Sequence, residues 1–284
     1  MRSLFIVLPA LLLPGPVFGA DVQGTLKKIK DTKSIVMGYR VSSPPFSFAG
    51  ADQKPAGYSV DLCGRIAAAI QRDLGLADLQ VKWVPVLVEN RLAAVANGTI
   101  DLECGSTTKT LSRQEQVDFS DLTFVDGGSL LATAASAIRG VGDLGGKRVA
   151  VIPGTTTEKT LKEAITKASV NPRIVTVKDH AEGVATLENG TADAYASDLI
   201  LLIGLATAIK DRVNLRLADD YFSYEPYALP LRRDDSAFRL AVNRTLARLY
   251  REAEIVPIFR KWFSGLGEPS MLLKAMYLMN GLPE

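Results

Sequence analysis

The sequence of 284 residues has few side chains that could hold a metal ion, with one histidine and two cysteines. These three residues cannot assemble a four-ligand zinc site of the usual kind, so we expect no metal and no cofactor. The chain also lacks an excess of charge of either sign, because 33 Lys and Arg residues stand against 31 Asp and Glu residues. A balanced surface offers no electrostatic footprint for nucleic acid, and we therefore expect no nucleic-acid partner.

Long hydrophobic runs are also scarce, and the one that stands out lies near the N-terminus, from Leu4 to Leu13. It follows Arg2 and is followed by small and helix-breaking residues, Pro14 to Ala20. This layout is typical of a secretory signal peptide, and the run is shorter than the roughly 20 residues that a membrane anchor needs. We therefore predict that residues 1–20 are a cleaved signal peptide and that the mature chain is soluble in the periplasm.

Export would place Cys63 and Cys104 in an oxidising compartment, where a disulfide is permitted. Cys63 lies in a segment with apolar residues at helical spacing, whereas Cys104 ends a predicted strand. We favour the interpretation that both are buried thiols and keep a disulfide as the alternative.

One short segment occurs twice, because Ala96–Asp101 (ANGTID) and Glu188–Asp193 (ENGTAD) share the pattern Asn-Gly-Thr-x-Asp. Each copy follows a predicted helix and opens a short apolar strand that ends in polar residues. A duplicated helix, turn and strand indicates two similar lobes with a cleft between them, and a chain of this length suits two domains.

Strand and helix patterns alternate in both halves of the chain, which is typical of an α/β fold with layered lobes. Two crossings between the lobes, near residues 129–134 and 221–229, would form a hinge that closes around a ligand. The predicted parts are a first lobe of residues 33–130 and 226–264, a second lobe of residues 131–225, and a tail of residues 265–284.

The glycine pattern of dinucleotide-binding folds occurs at Gly140–Gly145 (GVGDLG), but it precedes a predicted strand. The pyrophosphate site of such folds needs a strand before the glycines and a helix after them. We therefore interpret this segment as a loop.

Polar residues follow several predicted strands, and in an open α/β sheet the ligand crevice lies outside the carboxyl ends of the strands. Thr155 and Glu158 also match a capping box at a helix start, which explains these two residues without a ligand. Capping does not explain Thr156 and Thr157, whose hydroxyls would suit the binding of an anion. The residues expected on this ligand edge are Arg40, Ser106, Thr108, Thr155, Thr156, Thr157 and Asp198.

Arg91, Arg113 and His180 carry less information from position alone, because most arginines are solvated or form surface pairs. A carboxylate ligand would explain their presence, since the guanidinium fork binds a carboxylate bidentately. Asp198 would then pair with an ammonium group of the ligand. Several basic partners and one acidic partner suit an amino acid that carries a second carboxylate.

A series of short motifs extends along most of the chain. They are residues 38–40 (GYR), 45–47 (PFS), 57–61 (GYSVD), 89–91 (ENR), 97–99 (NGT), 104–108 (CGSTT), Arg113, 119–120 (FS), 154–156 (GTT), 178–180 (KDH), Asp198 and 261–263 (KWF). In this order they resemble the extracytoplasmic solute-binding proteins of polar amino-acid ABC importers, family 3, and within them the glutamate/aspartate-binding proteins. The resemblance runs from about Lys33 to Phe263.

The resemblance implies a two-lobed periplasmic-binding-protein fold, in which each lobe is a mostly parallel sheet flanked by helices and a two-segment hinge joins the lobes. It also implies a monomer that binds L-glutamate or L-aspartate, performs no chemistry, and delivers its ligand to the membrane permease of an ABC importer. At the α end of the ligand, Arg113 and Thr156 would bind the carboxylate, and Asp198 with Ser106 and Thr108 would bind the ammonium group.

At the distal end, the resemblance implies that Arg40, Arg91 and His180 hold the second carboxylate, and that Phe46 supplies an apolar wall. The chain departs from the family at Val88, where similar proteins have a serine three residues before the counterpart of Arg91. This departure bears on the preference between glutamate and aspartate.

A second hypothesis is an exported enzyme on the same fold, a dehydratase of the cyclohexadienyl type. Such an enzyme needs a general acid or base in the cleft, and Glu103 and His180 are the candidates. A third hypothesis, the ligand-sensing domain of a receptor, lacks a membrane span in this sequence.

Overall fold

The computed structural model describes residues 22–208 and 215–283, and within them the chain forms two five-stranded sheets flanked by helices. The predicted signal peptide, residues 1–20, lies outside the described residues. The strands are β1 (Ser34–Tyr39), β2 (Ser42–Ser43), β3 (Ser47–Ala49), β4 (Pro55–Ala56), β5 (Gln80–Pro85), β6 (Leu102–Glu103), β7 (Asp118–Asp126), β8 (Gly128–Thr133), β9 (Arg148–Val151), β10 (Arg173–Thr176), β11 (Ala194–Asp198), β12 (Leu215–Leu217) and β13 (Glu225–Leu231). The helices are α1 (Gly24–Thr32), α2 (Tyr58–Asp73), α3 (Arg91–Ala96), α4 (Leu111–Gln114), α5 (Thr156–Ala168), α6 (His180–Glu188), α7 (Leu199–Ala208), α8 (Ser236–Arg251), α9 (Ile255–Phe263) and α10 (Met271–Asn280).

The two large sheets have the same plan. The first has the strand order β5-β1-β6-β13-β7, in which β5, β1 and β6 run parallel and β13 pairs antiparallel with both β6 and β7. The second has the order β10-β9-β11-β8-β12, with three parallel strands followed by two antiparallel pairings. The predicted two-lobed α/β fold is confirmed, and both sheets are mixed because half of the pairings in each are antiparallel.

The repeated segment forms the same turn in both sheets. Its glycines, Gly98 and Gly190, have φ angles of 76° and 71°, a backbone conformation that glycine adopts without strain. The amide side chains of Asn97 and Asn189 each accept a hydrogen bond, at 3.0 Å, from the backbone N–H two residues later. The two copies of the sequence pattern therefore build one turn twice.

The aspartate at the end of each copy fixes the strand that follows. Asp101 accepts a hydrogen bond from the backbone N–H of Val36 in β1 at 2.8 Å, and Asp193 accepts one from Arg148 in β9 at 2.7 Å. These bonds fix β6 against β1 and β11 against β9. The polar residues that follow β6 and end β11 are thereby held near the same edge of the molecule.

The chain leaves the first sheet at Gly127, the one residue that separates β7 from β8, and returns between β12 and β13. The two connections pack closely, since a Cβ atom on Gly127 would lie 2.5 Å from the ring of Tyr221. The outward crossing predicted at residues 129–134 is therefore wrong, because residues 128–133 form β8 inside the second sheet. Because Gly127 alone connects β7 to β8, the sequence pattern shows no break between the two strands from which the crossing could be located. The lobe boundaries stay a prediction.

Phe46 lies in the core of the first sheet and not on a cavity wall. It is 0% exposed and its ring packs against Phe124, Tyr227 and Phe263 at centroid distances of 4.9, 5.2 and 5.5 Å. The expectation that it walls the ligand site is wrong, because these rings enclose it from several sides.

The tail, whose role the sequence does not indicate, covers the first sheet. Helix α10 packs on β7 and α8, with Leu273, Met276 and Tyr277 buried. The hydroxyl of Tyr277 lies 2.9 Å from that of Tyr58 at the start of α2. The tail therefore completes the core of the first sheet.

Cys63 and Cys104 form a disulfide, with Cα atoms 6.2 Å apart, so the preferred interpretation of two buried thiols is wrong. The sequence places Cys63 on a helix and Cys104 after a strand, but it does not show that the helix start lies over that strand end. Ser59 of α2 donates a hydrogen bond to the carbonyl of Gly105 at 2.8 Å, which holds these two segments together.

Two further expectations can be compared with the described residues. The glycine pattern of residues 140–145 forms a short 3₁₀ turn before β9 and opens no helix after a strand, in agreement with the loop interpretation. Across residues 22–208 and 215–283, no helix has the length and apolar character needed to cross a bilayer.

Candidate functional site

One cavity lies between the two sheets and has all the predicted ligand residues on its walls. Its free volume is small, about 30 Å³, so the two walls lie close together. The residues that line it are Arg40, Val88, Arg91, Ser106, Thr108, Arg113, Thr155, Thr156, Thr157, His180, Ser197, Asp198 and Leu201.

Arg40 and Arg91 stand on the first-sheet wall, at the end of β1 and at the start of α3, and are only 5% and 4% exposed. The Arg91 side chain is oriented by two hydrogen bonds, from Nε to the hydroxyl of Thr107 at 2.8 Å and from one terminal nitrogen to the carbonyl of Val88 at 2.6 Å. Both bonds leave part of the guanidinium group free to bind a ligand.

Arg113 belongs to the same wall and reaches across the cleft. One terminal nitrogen donates to the carbonyl of Thr108 at 2.8 Å, and the other donates to the carbonyl of Gly154, in the second sheet's part of the chain, at 3.4 Å. The hydroxyl of Thr110 caps the short helix α4 that carries Arg113. The guanidinium group therefore lies where both halves of the molecule meet.

Asp198 is the last residue of β11 and lies on the opposite wall, 5% exposed. Its carboxylate accepts hydrogen bonds from the hydroxyls of Thr157, at 2.7 Å, and of Tyr227. Burial, followed by the nearby carboxylate of Glu225, raises the pKa of Asp198 to about 6. The group is ionised at neutral pH and is suited to a cationic partner.

His180 begins α6 and is 5% exposed. Burial, followed by the charges of Arg40 and Arg91, lowers the pKa of His180 to about 3, so the ring is neutral at physiological pH. It therefore joins the arginines as a neutral hydrogen-bonding group and not as a further cation.

Glu225 is a site residue that the sequence did not indicate. It is fully buried at the start of β13, and one carboxylate oxygen accepts hydrogen bonds of 2.6 Å from both Thr108 and Thr156. The other oxygen accepts from Ser223 at 2.7 Å. Glu225 therefore orients two predicted ligand hydroxyls, one from each wall. The only indication in the sequence was that a charged residue lies within the predicted return crossing, residues 221–229.

The three arginines form no direct ion pair within the part of the chain that the structure describes, although Glu103, Asp198 and Glu225 lie near enough to favour their charged forms. Among the described residues, no carboxylate oxygen lies within 4.0 Å of the guanidinium groups of Arg40, Arg91 or Arg113. Burial, followed by the charges of Arg40 and Arg113, lowers the pKa of Arg91 to about 9. A buried cluster of this kind favours a ligand with negative charge, because bringing the charges together has a cost that an anion offsets.

Glu103, the candidate acid or base of the enzyme hypothesis, does not line the cavity. It is 0% exposed, and neither carboxylate oxygen has a hydrogen-bond partner among the described residues. It lies below Gly105, where an added Cβ atom would be 2.2 Å from Oε1 of Glu103. Its carboxylate is therefore enclosed by the protein and does not line the cavity.

Thr155 and Glu158 act in helix capping, as the sequence indicated. The hydroxyl of Thr155 accepts from the backbone N–H of Glu158 at 3.0 Å, and the carboxylate of Glu158 accepts from the N–H of Gly154 at 2.9 Å. This cap starts α5 so that Thr156 and Thr157 lie on the cavity wall.

Comparisons with known proteins agree with this arrangement. The chain is 38% identical over 256 residues to the L-glutamate/L-aspartate-binding protein of Pseudomonas aeruginosa, covering 90% of this chain and 85% of that protein. It is 39% identical over 248 residues to the glutamate/aspartate import solute-binding protein of Escherichia coli, covering 87% and 82%. A crystal structure of a mutant of ArgBP from T. maritima has a TM-score of 0.74 at 25% identity, covering 85% of this chain and 100% of that chain.

The family model of the bacterial extracellular solute-binding proteins, family 3, matches residues 35–265. This range contains both sheets and every residue that lines the cavity. The chain belongs to this family of solute-binding proteins.

Proposed function

We propose that the protein is a periplasmic receptor that binds an acidic L-amino acid, glutamate or aspartate, in the cavity between its sheets. The observation that carries the proposal is the set of three buried arginines facing one cavity that also holds an ionised aspartate. Such a set matches a zwitterion with an additional carboxylate. The names of the relatives in Pseudomonas aeruginosa and Escherichia coli support the same ligands.

In the proposed complex, the α-carboxylate lies against Arg113 and Thr156. The α-ammonium group faces Asp198, with Ser106 and Thr108 beside it. Arg113 and Asp198 come from opposite walls, so binding of the α end joins the two sheets. This arrangement would favour the closed form of the hinge, because only that form brings both groups within reach of one ligand.

The distal carboxylate would bind Arg40, Arg91 and the neutral ring of His180. Charge-assisted hydrogen bonds to buried guanidinium groups contribute about 1.5–3 kcal/mol each. An amide in place of the carboxylate would leave the two arginines without an anionic partner. The distal group therefore carries the selection of acidic over neutral side chains.

The rest of the proposal concerns the cell. The chain is exported with cleavage of residues 1–20 and acts as a monomer. It folds into a first lobe of about residues 33–127 with 226–264 and a second lobe of about residues 128–225. The closed receptor delivers its ligand to the membrane permease of an ABC importer. The Escherichia coli relative is named as an import protein, which supports this partner.

Calorimetry on the purified and ligand-free protein tests the proposal. We expect heat from glutamate or aspartate and little or none from arginine, because a cationic side chain would meet Arg40 and Arg91. Circular dichroism on the same sample shows whether the protein is folded. A folded, ligand-free sample that gives no heat with either acidic amino acid would refute the proposal.

The enzyme hypothesis is not favoured. The relatives at 38% and 39% identity are named as binding and import proteins, and Glu103 lies outside the cavity. Formation of product from prephenate or arogenate, lost on Glu103→Gln substitution, would restore it.

A further inference from the structure

His180 has a partner behind the cavity wall. Its ring nitrogen Nδ1 lies 2.7 Å from the hydroxyl of Tyr195, and the two residues are 5% and 0% exposed. His180 lines the cavity, whereas Tyr195, on β11, does not. The hydroxyl of Tyr195 therefore contacts the side of the imidazole ring that bears Nδ1, while His180 itself borders the cavity.

The direction of this hydrogen bond decides which ring nitrogen carries the proton. Burial raises the pKa of Tyr195 and lowers that of His180, so a neutral phenol meets a neutral imidazole. A phenol hydroxyl is a stronger donor and a weaker acceptor than a neutral imidazole, so we take the hydroxyl of Tyr195 as the donor in this 2.7 Å contact. Nδ1 then accepts, and Nε2 carries the ring proton.

The ring of Tyr195 is held in place by the helix that carries His180. An added Cβ atom on Gly183, three residues after His180 in α6, would lie 2.4 Å from Cε2 of Tyr195. The absence of a side chain at Gly183 lets the phenol ring pack directly on the helix backbone. The rings of His180 and Tyr195 meet edge to face, with centroids 6.2 Å apart. Packing and hydrogen bonding therefore fix the same geometry.

We propose that Tyr195 is a positioning residue that holds neutral His180 as the Nε2–H tautomer, so that the site presents a hydrogen-bond donor to the distal group of the ligand. The identity of that ligand rests on the proposed function. A donor at Nε2 suits a carboxylate oxygen. The carbonyl oxygen of an amide could also accept from it, but the NH₂ group would then face Arg40 and Arg91, which have no acceptor. Tyr195 thus contributes to the selection of glutamate over glutamine.

Nitrogen NMR of the imidazole tests the tautomer directly. The chain has one histidine, so ¹⁵N-histidine labelling of protein purified without a histidine tag gives the ring signals of His180 alone. We expect a protonated Nε2 and an unprotonated Nδ1 at pH 7 in the ligand-free protein. A protonated Nδ1 would overturn the proposal, as would ring signals that do not change in Tyr195→Phe.

Binding measurements test the consequence for specificity. Tyr195→Phe removes the hydrogen bond and keeps the ring, and we expect glutamate to bind about two- to tenfold more weakly. The ratio of glutamate affinity to glutamine affinity should fall as well, because the released ring can present an acceptor at Nε2. A merely structural role would weaken both ligands equally and leave that ratio unchanged, which would count against the proposal.

A matched control is Tyr250→Phe, which removes a buried phenol that donates to the carbonyl of Leu122 at 2.8 Å, far from the cavity walls. It should lower thermal stability without moving the His180 signals or the affinity ratio. If Tyr195→Phe does not fold, the ring signals of the wild-type protein still decide the proposal, because a protonated Nδ1 would refute it.

The two proposals fail in different ways. If the wild-type protein shows the Nε2–H tautomer but binds no acidic amino acid, the proposed function is wrong and the role of Tyr195 in fixing the ring is supported. If the wild-type protein binds glutamate with a protonated Nδ1, the proposed function is supported and the inference about Tyr195 is wrong.

Discussion

The two walls of the cavity carry opposite charge. The wall of the first sheet presents Arg40, Arg91 and Arg113, whereas the wall of the second sheet presents Asp198 and a neutral histidine, His180. Among the residues that line the cavity, positive groups outnumber negative ones, which favours a ligand with more negative than positive charge. The separation of the charges indicates how that ligand is oriented, because its ammonium group must face the second sheet.

The walls also differ in how their groups are held. Asp198 has its hydrogen bonds to Thr157 and Tyr227, while Glu225 at the return connection joins hydroxyls from both walls. Arg91 and Arg113 are oriented by hydrogen bonds to neutral groups and form no direct ion pair within the described residues. The arginines of the first wall therefore depend most on the negative charge of the ligand, and substitutions of these arginines should weaken binding most.

The largest effect is expected from Arg113→Ala. Loss of a buried, hydrogen-bonded partner of a ligand charge costs about 2–5 kcal/mol, which corresponds to roughly 30- to 4000-fold weaker binding. Because every α-amino acid has the carboxylate that Arg113 would bind, glutamate, aspartate and glutamine should all weaken together. Calorimetry with the three ligands measures this loss.

Arg113→Lys is the matched variant, since it keeps the charge and removes the planar fork. It should recover part of the affinity but not all of it. Thermal unfolding of the ligand-free variants shows whether the loss of the bond to Thr108 has disturbed the fold. Unchanged glutamate affinity in a folded Arg113→Ala protein would mean that the α-carboxylate lies elsewhere.

Arg40→Ala should have a selective effect. If Arg40 binds the distal carboxylate, glutamate and aspartate should weaken by about 10- to 100-fold, since charged hydrogen bonds contribute about 1.5–3 kcal/mol. Glutamine and asparagine should weaken much less. The exposed Arg65 on α2 provides the control, because Arg65→Ala removes a like charge from the same part of the chain outside the cavity. Equal losses for acidic and amide ligands would show that Arg40 binds the α end.

The sequence predicts a residue of the cavity walls when the pattern that indicates it lies within a few neighbouring residues. The repeated turns, the strand ends and the cap at Thr155 are encoded within a few neighbouring residues, and the structure agrees with each of them. Family motifs then supplied Arg91, Arg113 and His180, whose positions alone carried little information. All three lie on the cavity with the predicted strand-end residues.

The features that the sequence missed depend on packing between distant segments. The disulfide requires α2 to lie over the end of β6, and the aromatic surroundings of Phe46 require residues from four separate segments. Glu225 acts on Thr108 and Thr156 only because β13 returns beside both sheets. No local pattern encodes such contacts, so they become visible only in the folded chain.

The single negative group on the second wall makes binding sensitive to acid. Burial and the carboxylate of Glu225 raise the pKa of Asp198 to about 6. Its other charged or titratable neighbours are Asp126, Tyr227 and Arg113. Below this pH the carboxyl group takes up a proton and loses its attraction for an ammonium group. We expect glutamate affinity to fall by about fivefold between pH 6 and pH 5, because one proton must be released on binding. His180 stays neutral over this range, since its pKa of about 3 lies lower.

Asp198→Asn is the control for the acid effect. Its affinity should be low at every pH and nearly flat between pH 7 and 5. The raised pKa also means that the folded protein binds more protons than the unfolded chain. Ionised Asp198 therefore destabilises the ligand-free fold above pH 6, and this destabilisation is lost as the pH falls towards 4. Thermal unfolding should therefore show Asp198→Asn as stabilised at pH 7.5 and not at pH 4. A pH-dependent loss that persists in this variant would assign the titration to another group.

The smallest effect is expected at Val88, which adjoins the cavity beside Arg91 and supplies a carbonyl to it. Val88→Ser adds a hydroxyl near the proposed distal carboxylate without touching either charged wall, and one neutral hydrogen bond contributes about 0.5–1.5 kcal/mol. The glutamate-to-aspartate affinity ratio should change by about two- to tenfold, because the two carboxylates differ in reach by one methylene group. Val88→Ala is the control for the change in volume. If the serine and alanine variants shift the ratio equally, cavity shape at this position sets the preference, and the charge on the two walls then sets only the class of ligand.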